Sequence, residues 1–154
     1  SEEINKIINK YNIIEEYNIK KIYPSTLNIE IKSTKFLAKI VDGDQLFVGS
    51  NGKLISNEIS DKVLPYMFGK FNSKEFLKFK ENIKHSKFDF GDFKTVYFFP
   101  SNRWDVLTND NILIKLPQKN IIELLNMGYE IIASTKFKNK NVIDLRMKNH
   151  LIVN

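Results

Sequence analysis

Few side chains in this sequence could carry out a reaction. The ordinary near-neutral general bases are His85 and His150. His85 falls at the end of an expected surface helix and His150 in or beside a terminal strand, so neither has a paired partner of the kind acid–base catalysis or metal binding requires. The absence of cysteine removes disulfides, zinc–thiolate sites, iron–sulfur ligation and thiol catalysis together. No phosphate-binding glycine loop, dinucleotide fingerprint, zinc-protease helix motif or nucleophile elbow occurs. Asp42 and Asp44 have the composition of calcium ligands, but the glycine and glutamate that complete an EF-hand loop do not follow, and Asp42-Gly43-Asp44 reads as a turn. Gly49-Ser50-Asn51-Gly52 could cradle an anion through its N–H groups, yet no helix N-terminus follows it, and Asn51-Gly52 is a strong hairpin signal of type I′. Phe98, Phe99 and Trp104 would suit base stacking, but no clustered basic track accompanies them, and core packing accounts for them better. Catalytic, metal and cofactor residues are therefore expected to be absent.

The elements that would position these residues follow from periodicity. Ile4, Ile7, Ile8 and Tyr11 share one face of a short helix. Tyr17–Ile22 and Leu27–Ile31 are strand-like, broken by Pro24-Ser25-Thr26. Phe36–Val41, Gln45–Val48 and Lys53–Ile55 continue as strands, and Leu64–Gly69 reads as an irregular apolar link. Ser73 is the expected N-cap of a helix to about His85, with Phe76, Phe79 and Ile83 facing inward. Thr95–Phe99, Arg103–Thr108 and Ile112–Leu116 form a meander in which Trp104 and Val106, and Ile112, Ile114 and Leu116, recur every second residue. After Pro117 a helix runs from Gln118 to about Asn126, with Ile121, Ile122, Leu124 and Leu125 all assigned to the core. Val142–Met147 is the last full strand, continued toward Val153 by Leu151–Val153. The fold class is α+β, a mostly antiparallel curved sheet with packed helices.

The 154 residues allow about one domain and a fraction, and 42% apolar content is ample for a core. The formal charge of +6 would favour an acidic partner, but its lysines are scattered and only Arg103 and Arg146 supply guanidinium, which argues against nucleic acid. No apolar run approaches the roughly 20 residues of a membrane span, and Ser1-Glu2-Glu3 is unlike a signal peptide. One helix and one hairpin bury too little surface to stand alone, so the first 34 residues are expected to be part of a larger module.

The run Tyr17–Ile31, a basic strand with an aromatic-Pro turn and an alternating strand, resembles the end of the POTRA domain in FtsQ/DivIB bacterial division proteins. Gly43–Ile55, Leu64–Gly69, Arg103–Thr108 and Val142–Arg146 are similar, in the same order, to landmarks of that family's β domain. The sequence departs from the pattern at Ser33 and Phe36, where relatives place an acidic residue and Pro, at Gly49 in place of Asp, and at Pro117 in place of Gly.

The resemblance implies residues 1–34 as a partial POTRA domain (helix, strand, strand) and 35–154 as an FtsQ-type β domain. It further implies a non-catalytic periplasmic scaffold, anchored in the bacterial inner membrane by a single span upstream, that binds FtsB and FtsL and helps control septal peptidoglycan synthesis. In the family a partner segment adds as a β-strand to the last strand. The matching residues here are Asp144, Arg146, Met147, Lys148, Asn149 and His150. Strand parity puts Ile143, Leu145 and Met147 toward the core, and Asp144, Arg146 and Lys148 outward, with Arg146 facing an acidic partner residue. A POTRA-containing component of outer-membrane protein transport and a basic nucleic-acid-binding module are the alternative readings.

Overall fold

The computed structural model describes residues 2–42, 44–56, 58–134, 139–147 and 151–154. Helix α1 (Glu2–Ile8) leads into a hairpin of β1 (Ile14–Ile22) and β2 (Thr26–Ser33), which form a two-stranded antiparallel sheet of their own. Tyr17 pairs with Ile31, Ile19 with Ile29 and Lys21 with Leu27, so one hairpin face is apolar apart from Lys21. Both strands start or end beyond the expected runs, since main-chain pairing tolerates polar residues such as Glu16, Lys32 and Ser33. The Tyr23–Pro24 peptide at the tip is cis.

The remaining strands form one nine-stranded sheet, namely β3 (Phe36–Asp42), β4 (Asp44–Gly49), β5 (Leu54–Ile55), β6 (Tyr66–Phe68), β7 (Phe93–Phe99), β8 (Arg103–Thr108), β9 (Leu113–Lys115), β10 (Val142–Asp144) and β11 (Ile152–Val153). Their spatial order is β11-β10-β9-β8-β7-β6-β3-β4-β5. The sheet is mostly antiparallel, with parallel joins at β3–β6, β6–β7 and β9–β10. Helices α2 (Ser73–Lys84) and α3 (Ile121–Ala133) lie in the β6–β7 and β9–β10 crossovers, whereas β3 and β6 are joined through β4 and β5. The fold is therefore α+β, as composition and periodicity lead one to expect.

Several local expectations change. Leu64–Gly69 is not a link; its centre, β6, lies between β3 and β7, and Met67 is buried there. A three-residue strand flanked by parallel neighbours is too short to display an alternation of its own. The N-cap of α2 is Asn72, whose side chain accepts the Glu75 N–H at 2.9 Å, while Ser73 donates to the Gly52 carbonyl. Helix α3 begins three residues later than expected and continues past Gly128, which is buried where an added Cβ would lie 3.4 Å from Ile114 Cδ1. Ile121 and Leu125 are core, but Ile122 is exposed, because four apolar residues in five span more than one helical face. The Gly49–Gly52 loop is not type I′. Gly52 has φ +77° while Asn51 is not in the left-handed region, and Gly52 N–H bonds to the Gly49 carbonyl. This matches a turn followed by one left-handed residue.

The core lies between the sheet and the two helices. Trp104 is its centre, stacked on Phe79 at 4.5 Å and packed against Phe98 at 4.6 Å. Phe76, Phe79 and Ile83 from α2 and Leu125 from α3 meet Met67, Val96, Val106, Ile114 and Ile143 from the strands. Phe36 and Phe47 stack at 4.6 Å on the other face of the sheet, near β5.

Candidate functional site

Among the described residues the catalytic candidates do not assemble. His85 caps the C-terminus of α2 and pairs at 3.6 Å with exposed Glu81. Asp42 and Asp44 are backbone partners at the end of the β3–β4 ladder. Among the described residues no group of three or more His, Cys, Asp or Glu is placed to hold a metal. Trp104 is 5% exposed and has no face open for a base, while the Arg103 guanidinium lies 4.6 Å from the Phe99 ring.

The end of the sheet at β9, β10 and β11 is better organised. Strand β10 runs parallel to β9, then the Leu145 N–H still reaches the Lys115 carbonyl at 2.9 Å. The strand stops because the Asp144 carboxylate turns back on its own chain: Oδ1 accepts the Arg146 backbone N–H at 3.1 Å. The same carboxylate takes a bidentate pair from the Arg146 side chain, Nε to Oδ1 at 2.9 Å and Nη2 to Oδ2 at 2.7 Å. Those hydrogen bonds hold the Asp144 carboxyl below the usual carboxylate range, against the opposing effect of burial, and they raise Arg146.

Cross-strand register extends this into a row. Phe68, Tyr97, Asp105, Lys115, Asp144 and Ile152 are successive partners on the face not covered by α2 and α3. Asp105 is 4% exposed and is held by Arg103, whose Nη1 donates at 2.5 Å to the carboxylate and at 3.1 Å to the Leu116 carbonyl. Burial nevertheless pushes Asp105 upward, with Arg103 and then Lys115 opposing. Both acids are sunk in the sheet, so the charge this row offers outward is that of Arg146 and Lys115.

Three site expectations are corrected. Val142–Met147 is not a continuous strand, since β10 ends at Asp144. Met147 is 55% exposed, because beyond the turn at Asp144 the two-residue parity no longer applies. It lines an open groove of about 510 Å³ with Pro117, Asn120, Leu124, Leu145 and Arg146. Asp144 does point away from Ile143 and Leu145, but it is buried beneath the Arg146 guanidinium. Lys148, Asn149 and His150 lie outside the described residues.

The strand at the sheet edge is β11, which returns antiparallel to β10 rather than prolonging it. Val142 and Asn154 exchange both main-chain bonds, 2.8 Å and 2.9 Å. Alternation along an antiparallel pair then turns the N–H and C=O of Val153 outward, away from β10. Ile152 shares the face of Asp144 and Arg146's carboxylate contact, and is 40% exposed. The sequence reading carried the last strand toward Val153 without placing Ile152–Val153 antiparallel beside β10, and it missed the Arg103–Asp105 pair and the place of Lys115 between the two aspartates. The Arg-Trp-Asp alternation in β8 hinted at the charge row, but the register that lines it up with Lys115 and Asp144 is tertiary.

The described residues thus form an α+β sheet with α2 and α3 on one face, the strand β11 at one end and polar side chains set in place beside it. No family model and no curated protein matches the chain. Among solved structures it is similar to the major extracytoplasmic domain of the trans isomer of the bacterial cell division protein DivIB from Geobacillus stearothermophilus, with 14% identity and a TM-score of 0.48 over 68% of this chain and 96% of that one.

Proposed function

We propose that this chain is the extracytoplasmic, non-catalytic part of a division scaffold of the FtsQ/DivIB kind, which binds an FtsB- or FtsL-like partner by strand addition. The observation carrying this reading is the β11 edge, where Val153 turns its N–H and C=O outward and Ile152 and Arg146 flank it on one face. An incoming strand would pair with those main-chain groups, and its alternate side chains would meet Ile152 and the outward positive charge of Arg146. The sequence landmarks support the same reading. Gly43–Ile55 holds β4 and β5, Leu64–Gly69 holds β6, Arg103–Thr108 is β8, and Val142–Arg146 opens with β10 and closes with the Asp144–Arg146 pair. With this reading come residues 1–34 as the closing part of a POTRA domain, a single inner-membrane span elsewhere in the protein, and a role in septal peptidoglycan control.

The test uses a synthetic FtsB periplasmic segment and calorimetry. Val153→Pro removes an outward donor and should lower affinity at least about tenfold, since a lost donor blocks pairing on an open edge. Val153→Ala keeps the donor and should bind within about threefold, because main-chain hydrogen bonds supply the affinity in strand addition. Unchanged binding by folded Val153→Pro protein would refute strand addition at β11.

A further inference from the structure

The loop joining β4 to β5 contacts three parts of the molecule at once. Toward the N-terminal hairpin, Ser50 Oγ donates to Glu15 Oε1 at 2.8 Å and lies 3.1 Å from Thr34 Oγ1, while Asn51 Nδ2 donates to the Asn12 carbonyl at 2.9 Å. Asn12 returns a bond from its own Nδ2 to the Leu54 carbonyl at 3.0 Å, and Asn51 N–H reaches Thr34 Oγ1 at 3.2 Å. Toward β3, Ser50 N–H binds the Lys35 carbonyl at 2.7 Å. Toward α2, Lys80 Nζ donates to the Ser50 carbonyl at 2.9 Å and Ser73 Oγ to the Gly52 carbonyl at 2.6 Å. Gly49 fits only because it lacks a side chain: an added Cβ would lie 2.6 Å from both Asn51 Oδ1 and Thr34 Oγ1.

We infer that this loop is a clasp that locks the α1–β1–β2 unit to the nine-stranded sheet at one fixed orientation. A single covalent link at Thr34–Lys35 would leave two units free to pivot. The clasp adds bonds to Asn12, Glu15 and Thr34 on both sides of the hairpin's base, and two separated lines of attachment remove the pivot. Its position has a consequence that rests on the strand-addition reading. The loop lies at the β4–β5 end of the sheet and β11 at the opposite end, eight strand spacings away. At roughly 4.8 Å per strand that is about 38 Å, so the sheet acts as a spacer between the N-terminal unit and the docking edge.

The clasp is tested without any partner, by ¹⁵N relaxation on the free chain. One rotational correlation time is expected for residues 14–33 near the hairpin base and for β6–β8. The triple variant Asn12→Ala/Glu15→Ala/Asn51→Ala should split this into two, with the hairpin tumbling faster, while β6–β8 chemical shifts stay unchanged and report an intact sheet. Glu15→Gln keeps an acceptor for Ser50 Oγ and should retain a single time. Separate times in the unaltered protein, or a single time in the triple variant, would overturn the clasp. Loss of FtsB binding by Val153→Pro is read independently, so either idea can fail alone.

Discussion

At the residue scale the two sunken aspartates should titrate in opposite senses. Asp144 has its folded pKa depressed by Arg146, so its contribution is present above the ordinary carboxylate pKa and disappears as pH falls through the lower folded value. Asp105 is raised by burial, so the folded state takes up its proton first, and stability gains from it as pH falls through the raised value toward the ordinary one. Urea unfolding from pH 7 to 3 should therefore show a flatter acid loss in Asp144→Asn than in the unaltered protein, and a steeper one in Asp105→Asn. Parallel curves for the two variants would contradict the assignment. Arg146→Ala should cost about 1 to 3 kcal/mol at pH 7, because it leaves a buried carboxylate short of its partner. Arg146 thus has a folding role in addition to any docking role, and reversal to Glu is a poor probe of binding alone.

At the element scale two glycines should respond in opposite directions to alanine. Gly69 follows β6 at φ +105°, and a Cβ there would sit 2.1 Å from the Phe98 carbonyl oxygen, a main-chain atom that cannot move aside. Gly69→Ala should lose at least about 1 to 3 kcal/mol from backbone strain alone, with the collision adding more. Gly128 sits inside α3 with room for a methyl against Ile114, so Gly128→Ala should gain about 0.5 to 1 kcal/mol from helix propensity. Thermal unfolding distinguishes the signs. At the other helix, Asn72→Ala should cost about 1 kcal/mol as loss of a cap, and Ser73→Ala should cost less, since its hydroxyl serves Gly52 rather than the helix.

At the scale of the whole molecule stability should be graded along the hairpin. Every residue of β2 is exposed, and Leu27, Ile29 and Ile31 are 46%, 40% and 55% accessible, so the tip has little burial to resist opening. Amide exchange should be fastest near Ile22–Thr26, slower at Thr34, whose N–H binds the Ile13 carbonyl, and slowest in β7 and β8 around Trp104. Uniform protection from hairpin tip to β8 would contradict the grading.

Much of the architecture was legible in the sequence. Alternation in Arg103–Thr108 places Trp104 and Val106 inward, and the 3.6-residue spacing of Phe76, Phe79 and Ile83 sets the buried face of α2, because both periods are properties of local backbone geometry. The α+β class follows from the same patterns. What the tertiary structure alone decided is where non-local pairing competes with local preference. Met67 is core because β3 and β7 close on either side of a segment with no alternation of its own. The last strand is β11 rather than an extension of β10, because the Asp144 carboxylate caps the Arg146 N–H and ends the ladder there. The charge row from Asp105 to Asp144 and the clasp at Ser50 unite residues far apart in sequence. Periodicity reports which way a side chain faces, but only register and packing report which other side chain it meets.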